Sequence, residues 1–294
     1  MAPNGHKKSD SAGEDDIQCY IPNYLKHMVL PYYSDYCQSP CFHPCLIVQL
    51  MAEGFLPIAT QGVLLPKLHQ ERCVISLPHD LHTSKSIRKK SKRFCLSVNT
   101  CLEGVIQGCH AQHDNCWLLP PLVAAFATIL AADGVDAVVD APTSKSAKVR
   151  IYSIEVWNTD TGRLAAGELG YTVGSIYTSL TGFSAEDSAG SVQLAALGQL
   201  LCNHGFSMWD LGMAMDYKGQ LGAHLMPRAD FVDEVHRVRS AYGHLVLPFD
   251  GTRVNCKIIL DRGSVSQANN SNGTVSTGKV DGKPKKQLQQ QNVM

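Results

Sequence analysis

Six cations, Lys85, Arg88, Lys89, Lys90, Lys92 and Arg93, fall within nine positions of a chain whose Lys+Arg (26) and Asp+Glu (26) cancel. Clustered ammonium and guanidinium groups neutralise phosphates and release their counterions, so the chemistry on offer is polyanion binding. Lys85, Arg88, Lys89 and Lys92 stand at i, i+3, i+4 and i+7, one face of a helix. The alternative is an ordinary solvated face; isolation in a balanced chain favours phosphate contact. Three carboxylates that can exchange a proton, Glu155, Glu168 and Asp210, lie further on. Two groups of soft donors, Cys37, Cys41, Cys45 with His43 and Cys109, His110, His113, Cys116, have zinc-type ligands without a Cys-x-x-Cys knuckle. No metal and no cofactor are expected.

The elements that must carry these residues follow from composition and period. At 294 residues and 44% hydrophobic, the chain can bury a substantial core. A balanced charge excludes histone-like wholesale basicity. The longest apolar helical run, "PLVAAFATILAA" (121–132), is too short to cross a bilayer, and eleven scattered cysteines suit reduced thiols better than a disulfide framework. The expectation is a cytoplasmic protein with no membrane partner, acting as a monomer.

Residues 1–16 and 263–294 lack the apolar residues that offset ordering entropy and read as disordered. Residues 17–135 read as a mostly helical N-terminal domain: "PCLIVQLMAEGF" (44–55) has helical spacing and a Gly stop, and "TSKSIRKKSKRF" opens on Thr83 or Ser84 as N-cap. Residues 136–148 read as an inserted loop. From 149 the period changes. "VRIYSIEVWNTDTGRLAAGELGYTVGSIYTSLTGF" alternates β-branched and aromatic residues with polar ones, an antiparallel meander. A helix over 185–203 buries Val192, Ala195, Ala196 and Leu200, with Ser184 and Asp187 at capping-box spacing. A strand over 207–215, a short helix at "YKGQLGA" and another helix over 231–239 complete an α+β second domain, 149–262.

Several blocks resemble one family. "SIEVW" (153–157), "HGFSMWD" (204–210) and above all "LGAHLMPRADF" (221–231) are similar to the leucyl/phenylalanyl-tRNA–protein transferases. "LHTSKS" (81–86), "NCWLLPPLVAAF" (115–126) and, more weakly, "AEGFLPI" (52–58) extend the likeness upstream. The resemblance implies an acetyltransferase-like (GNAT-type) mixed sheet domain preceded by a smaller, mainly helical domain. It implies transfer of Leu or Phe from aminoacyl-tRNA to the N-terminal amine of an acceptor protein, which tags that protein for degradation.

Residue by residue, the resemblance puts Trp117 in the pocket near the aminoacyl-adenosine end, with core filling as the alternative. Asp210 falls on the family's Asp and would orient groups or accept a proton; a hydrogen-bonded structural Asp is the other reading. Backbone N–H groups near Tyr177, Thr178 and Ser179 would receive the oxyanion. Two positions depart from the pattern: Gly212 stands where the family has Gln, and Leu180 where its "GES" segment has the Glu that reads a basic acceptor residue. Glu155, in "SIEVW", reads as structural. Glu168 has no counterpart in the family pattern and is a candidate to replace the missing acidic contact. Lys85, Arg88, Lys89 and Lys92 would hold the tRNA phosphates. A noncatalytic tRNA-binding descendant and an acyl-CoA-dependent transferase are the alternatives; the second lacks a pyrophosphate signature before the 185–203 helix.

Overall fold

A computed structural model describes residues 38–114, 116–140, 145–240 and 251–262, with the side chain of Asp140 left out. The two terminal segments expected to be disordered lie outside these residues, as does Cys37.

Helix α1 (Pro44–Ala52) begins where Pro44 needs no amide partner and His43 Nδ1 accepts from the Cys45 N–H at 3.3 Å. It stops before Gly54, whose φ of +88° suits glycine. A hairpin follows, β1 (Leu56–Thr60) with β2 (Val63–Lys67), turning on Gln61 and Gly62, both at positive φ. The remaining strands are β3 (Glu71–Ser76), β4 (Phe94–Val98), β5 (Val135–Asp140), β6 (Lys145–Asn158), β7 (Leu164–Val173), β8 (Ile176–Ser184), β9 (Met208–Asp210), β10 (His224–Pro227) and β11 (Val254–Asn255). They form one sheet in the order β10-β3-β9-β8-β7-β6-β4-β11, with β5 paired to the start of β6.

All pairs are antiparallel except β8–β9. A parallel neighbour requires a crossover, here the helix Ala189–Asn203. The helices between strands are α2 (Lys85–Lys90), α3 (Leu102–Gln112), α4 (Pro120–Ala131), α5 (Ala189–Asn203), α6 (Asp216–Gly219) and α7 (Arg228–Val238). α1, α3, α4 and α7 cover one face through Leu50, Val105, Phe126 and Phe231; α5 covers the other through Val192, Ala196 and Leu200, with Ile87 of α2 beside it. The architecture is α+β around a mixed sheet.

Two expectations about organisation are corrected. Residues 17–135 are not mostly helical where described: 56–98 supply four strands, and β3 and β4 enter the same sheet as the second half. Their short apolar runs, such as "CVIS", bury on both sides and carry no period with which to announce a strand. Within the expected inserted loop, 136–140 and 145–148 are strand, in β5 and the start of β6, because "VDAVVD" pairs with "KSAKV" in antiparallel register. The meander over 149–183 is present as β6, β7 and β8. Helix α5 starts at Ala189; in place of a capping box, Ser184 Oγ accepts from the Gly190 N–H at 3.1 Å.

Candidate functional site

Strand alternation decides which β7 side chains meet α5. Leu169, Tyr171 and Val173 join the core under α3 and α4, which leaves Ala166, Glu168 and Gly170 for the opposite face. There Glu168 is 3% exposed. Its Oε1 accepts from the Tyr177 hydroxyl (3.0 Å) and the Ser179 hydroxyl (2.9 Å), and its Oε2 from the Gln193 side-chain amide (2.7 Å). A Cβ at Gly170 would collide with the Tyr177 hydroxyl, so glycine there admits the ring that reaches Glu168.

Opposite Leu169 and Gly170, β8 carries one extra residue: Leu169 pairs Thr181 and Gly170 pairs Ser179, leaving Leu180 unpaired as a bulge. A bulge breaks alternation, and Ser179, Leu180 and Thr181 all line one cleft. The cleft, about 520 Å³, is also lined by Glu168, Phe183, Gln193, Leu194, Leu211, Tyr217 and Lys218. His113 reaches its wall, its Nε2 3.0 Å from the Gly182 carbonyl.

Lys218 is buried, and its Nζ donates to the Leu211 and Met213 carbonyls at 2.7 Å each. Burial pulls this ammonium below the ordinary lysine range, with Cys73, Asp210 and Glu168 working against that. Burial pushes Glu168 up from the usual 4.5 to about 7, against the hydrogen bonds from Ser179 and Tyr177 and the charge of Lys218.

Asp210 sits two strands away and differently. It is 0% exposed; Arg72 Nε donates to its Oδ1 at 3.1 Å, the Arg72 NH2 group pairs with Oδ2, and the Gly212 N–H donates to Oδ1 at 2.9 Å. Arg72 also donates to the Gly54 carbonyl at 3.0 Å and stacks on the Phe231 ring at 4.4 Å. Both Asp210 oxygens are thus engaged inside the protein, and the residue does not line the cleft.

Gly212, at φ +73°, turns the chain after β9 and does not line the cleft, whereas its neighbour Leu211 does. Trp117 does not reach the cleft either; it packs half-buried on the core under α4. Tyr177 and Thr178 are buried, Tyr177 holding Glu168. Glu155 does not line the cleft; it accepts from the Ser97, Ser153 and Thr100 hydroxyls and from the Thr100 and Cys101 N–H groups at the start of α3, a structural set of contacts. Among the described residues no His, Cys, Asp and Glu cluster has metal-binding geometry, and no helix is long and apolar enough to cross a membrane.

The basic stretch forms α2 and a 3-10 turn over Ser91–Arg93 that holds Lys92 and Arg93, with Ser84 as N-cap of α2, its Oγ accepting from the Ile87 N–H at 3.3 Å. Lys85, Lys89 and Lys92 are exposed, while Arg88 NH1 donates to the Leu260 carbonyl at 2.9 Å. Lys90 Nζ donates to Ser188 Oγ at 2.8 Å, and Ser188 lines the cleft. The basic helix thus stands at the cleft's rim.

The family profile described as leucyl/phenylalanyl-tRNA protein transferase matches residues 74–236. The chain belongs to this family. Its relatives include the leucyl/phenylalanyl-tRNA–protein transferases of Azotobacter vinelandii, 27% identical over 64% of this chain and 77% of the relative, and of Jannaschia sp., 27% identical over 72% and 93%. The Photobacterium profundum transferase is 23% identical over 67% of this chain and 78% of its own length. Among solved structures, a DUF2156 domain from Agrobacterium fabrum aligns at a TM-score of 0.36 and 14% identity over 60% of this chain and 67% of that one, too weak a likeness to carry a fold.

Sequence reasoning missed Arg72's partner role, two residues before the family match, and Gln193 and Lys218 within it. Gln193 had a legible signal: Ala189, Val192, Ala196, Leu197 and Leu200 trace a buried stripe, and a polar residue at 193 stands on it. Lys218 had none, since one lysine in a polar turn reads as solvated.

Proposed function

We propose that this chain moves Leu or Phe from a charged tRNA to the N-terminal amine of an acceptor protein, in the cytoplasm and as a monomer, without metal or cofactor. The observation that carries the reading is the Lys90–Ser188 bond at the rim of the cleft. A phosphate-binding helix and an apolar cavity with a few convergent polar groups are what an aminoacyl-tRNA end requires side by side. Leu180, Phe183, Leu194 and Leu211 offer an apolar wall to a Leu or Phe side chain. Transfer needs little beyond holding ester and amine together, since an α-amine with a pKa of about 8 is already partly neutral and orientation alone supplies up to roughly 7–11 kcal/mol. We read the β8–α5–β9 crossover as an acetyltransferase-like core.

Lys85, Lys89 and Lys92 are the phosphate contacts in this reading, with Arg88 a strut toward residue 260. Acceptor choice differs from the pattern the resemblance implies, because Leu180 is neutral. The test is single-turnover transfer of labelled Leu or Phe from tRNA to a panel of peptides covering all N-terminal residues, with tRNA affinity measured against salt. Transfer is expected to at least one peptide class, and K85A/K89A/K92A should lower affinity and flatten the salt slope by about two to three units. No transfer to any peptide, with equal affinity for charged and uncharged tRNA, would leave only a noncatalytic binder.

A further inference from the structure

Glu168 is a carboxylate in the cleft whose three hydrogen-bond donors, Tyr177, Ser179 and Gln193, are all neutral. Asp210 holds a cation, Arg72, and Glu155 has neutral donors, but neither of these buried carboxylates lines the cleft. Glu168 instead lies at the wall of a 520 Å³ cavity, fixed in orientation from two elements, β8 and α5, with the ammonium of Lys218 lining the same space. Fixed orientation, access from the cavity and hydrogen bonds from neutral donors alone are what a proton acceptor needs.

We propose that Glu168 is a catalytic residue of the transfer reaction, taking the proton from the acceptor's amine; the inference rests on the transfer reading of the cleft. The neutral amine nitrogen bonds to the ester carbonyl carbon, and the carbonyl π electrons move to oxygen. One N–H proton passes to the Glu168 carboxylate. As the carbonyl re-forms, the bond from carbon to the ribose oxygen breaks, and that oxygen takes the proton from Glu168. A peptide bond and a ribose hydroxyl result, the carboxylate is restored, and no oxidant or reductant takes part. Standing near neutrality, with burial as the cause, Glu168 is matched to accept and return a proton at cellular pH. It would supply in this chain, from β7, the help that the resemblance places at the end of β9.

The groups facing Glu168 are Tyr177 and Ser179 of β8, Gln193 of α5, Tyr217 and Lys218 of α6, and Cys109 of α3, with His113 just beyond it in the same cleft. His113 is a second titratable group there, so the test must separate the two.

The experiment is single-turnover transfer from Leu-tRNA or Phe-tRNA to the best peptide of the panel, from pH 5.5 to 8.5, with tRNA affinity measured in parallel. In wild type two ionisations, those of Glu168 and the acceptor amine, should give a slope near 2 in log rate at the acid end. E168Q should lower the rate about 100-fold, leave tRNA affinity unchanged and reduce the slope to 1, while H113N keeps a slope of 2. Y177F removes one donor to the carboxylate and should move the acid limb to higher pH, a shift that a merely structural role would not produce; it serves alone if E168Q does not fold. Transfer by E168Q within threefold of wild type, or an acid limb unmoved in Y177F, overturns the assignment and leaves the transfer reading standing. Wild type that transfers nothing overturns both.

Discussion

Asp210 on β9 and Glu168 on β7 are both buried carboxylates on one sheet, and they have been given opposite surroundings. Asp210 meets a guanidinium that is itself held by the Gly54 carbonyl and the Phe231 ring. Glu168 meets two hydroxyls and an amide. A carboxylate gripped by a buried guanidinium is fixed in place, tying β3, β9 and the end of α1 together. Burial leaves Glu168, which has no cation bonded to it, close to the point where it gains or loses a proton. Access adds to the partner: Glu155 also has neutral donors, yet of the three buried carboxylates Glu168 is the one that lines the cleft.

Breaking the pair on β9 should have the largest effect. Removing one partner of a fully buried ion pair leaves the other charge uncompensated, at a cost of about 3–5 kcal/mol. R72M and D210N should each lower denaturant stability by about this much. In R72M/D210N no unpaired charge remains, so the double variant should be destabilised by less than the sum of the two, with a positive coupling in a double-mutant cycle. Additive losses would mean that the two groups do not act as a pair.

Glu168 should instead reveal itself through pH. Its carboxyl stands at about 7 in the folded protein against an ordinary 4.5, so the folded state binds the proton more tightly than the unfolded one. That contribution is fully present below pH 4.5 and is lost as pH rises through 7, about 3 kcal/mol over the window. E168Q has nothing to ionise at this position. Melts at pH 5 and pH 8 should therefore show wild type losing roughly 2.5 kcal/mol more than E168Q between the two. Equal pH dependence would place the carboxylate in the ordinary range and remove the contrast with Asp210.

The sequence made the second half legible where period and motif coincide. The alternation of 149–183 is the β6–β7–β8 meander, and the basic run is a helix with Ser84 at its cap. Charge density pointed correctly to an exposed cation face at Lys85, Lys89 and Lys92 but could not foresee that Arg88 turns inward to Leu260. β3 and β4 escaped notice because strands buried on both faces lose alternation. Asp210 and Glu168 could not be ranked, since the deciding groups, Arg72 and Gln193, stand 138 residues before the one and 25 after the other. Long-range partners leave no mark in local spacing.

The smallest expected effect lies at Gly212, where the resemblance implies Gln, and it asks whether the β9 end retains chemistry of its own. The turn is pinned on both sides: the Gly212 N–H donates to Asp210 Oδ1, and its carbonyl accepts from the Cys73 N–H at 2.8 Å. A Cβ would meet only Leu56 Cδ1, at 3.8 Å, so space is not the obstacle; the φ of +73° is. An L-residue in that conformation costs about 1–2 kcal/mol whatever its side chain, so G212A and G212Q should be destabilised alike by this amount. Because Gly212 does not line the cleft, transfer per folded molecule should be unchanged in both. A rate for G212Q that climbs above wild type while G212A does not would return catalysis to the β9 end, and E168Q combined with G212Q would then show whether the two strands share one role.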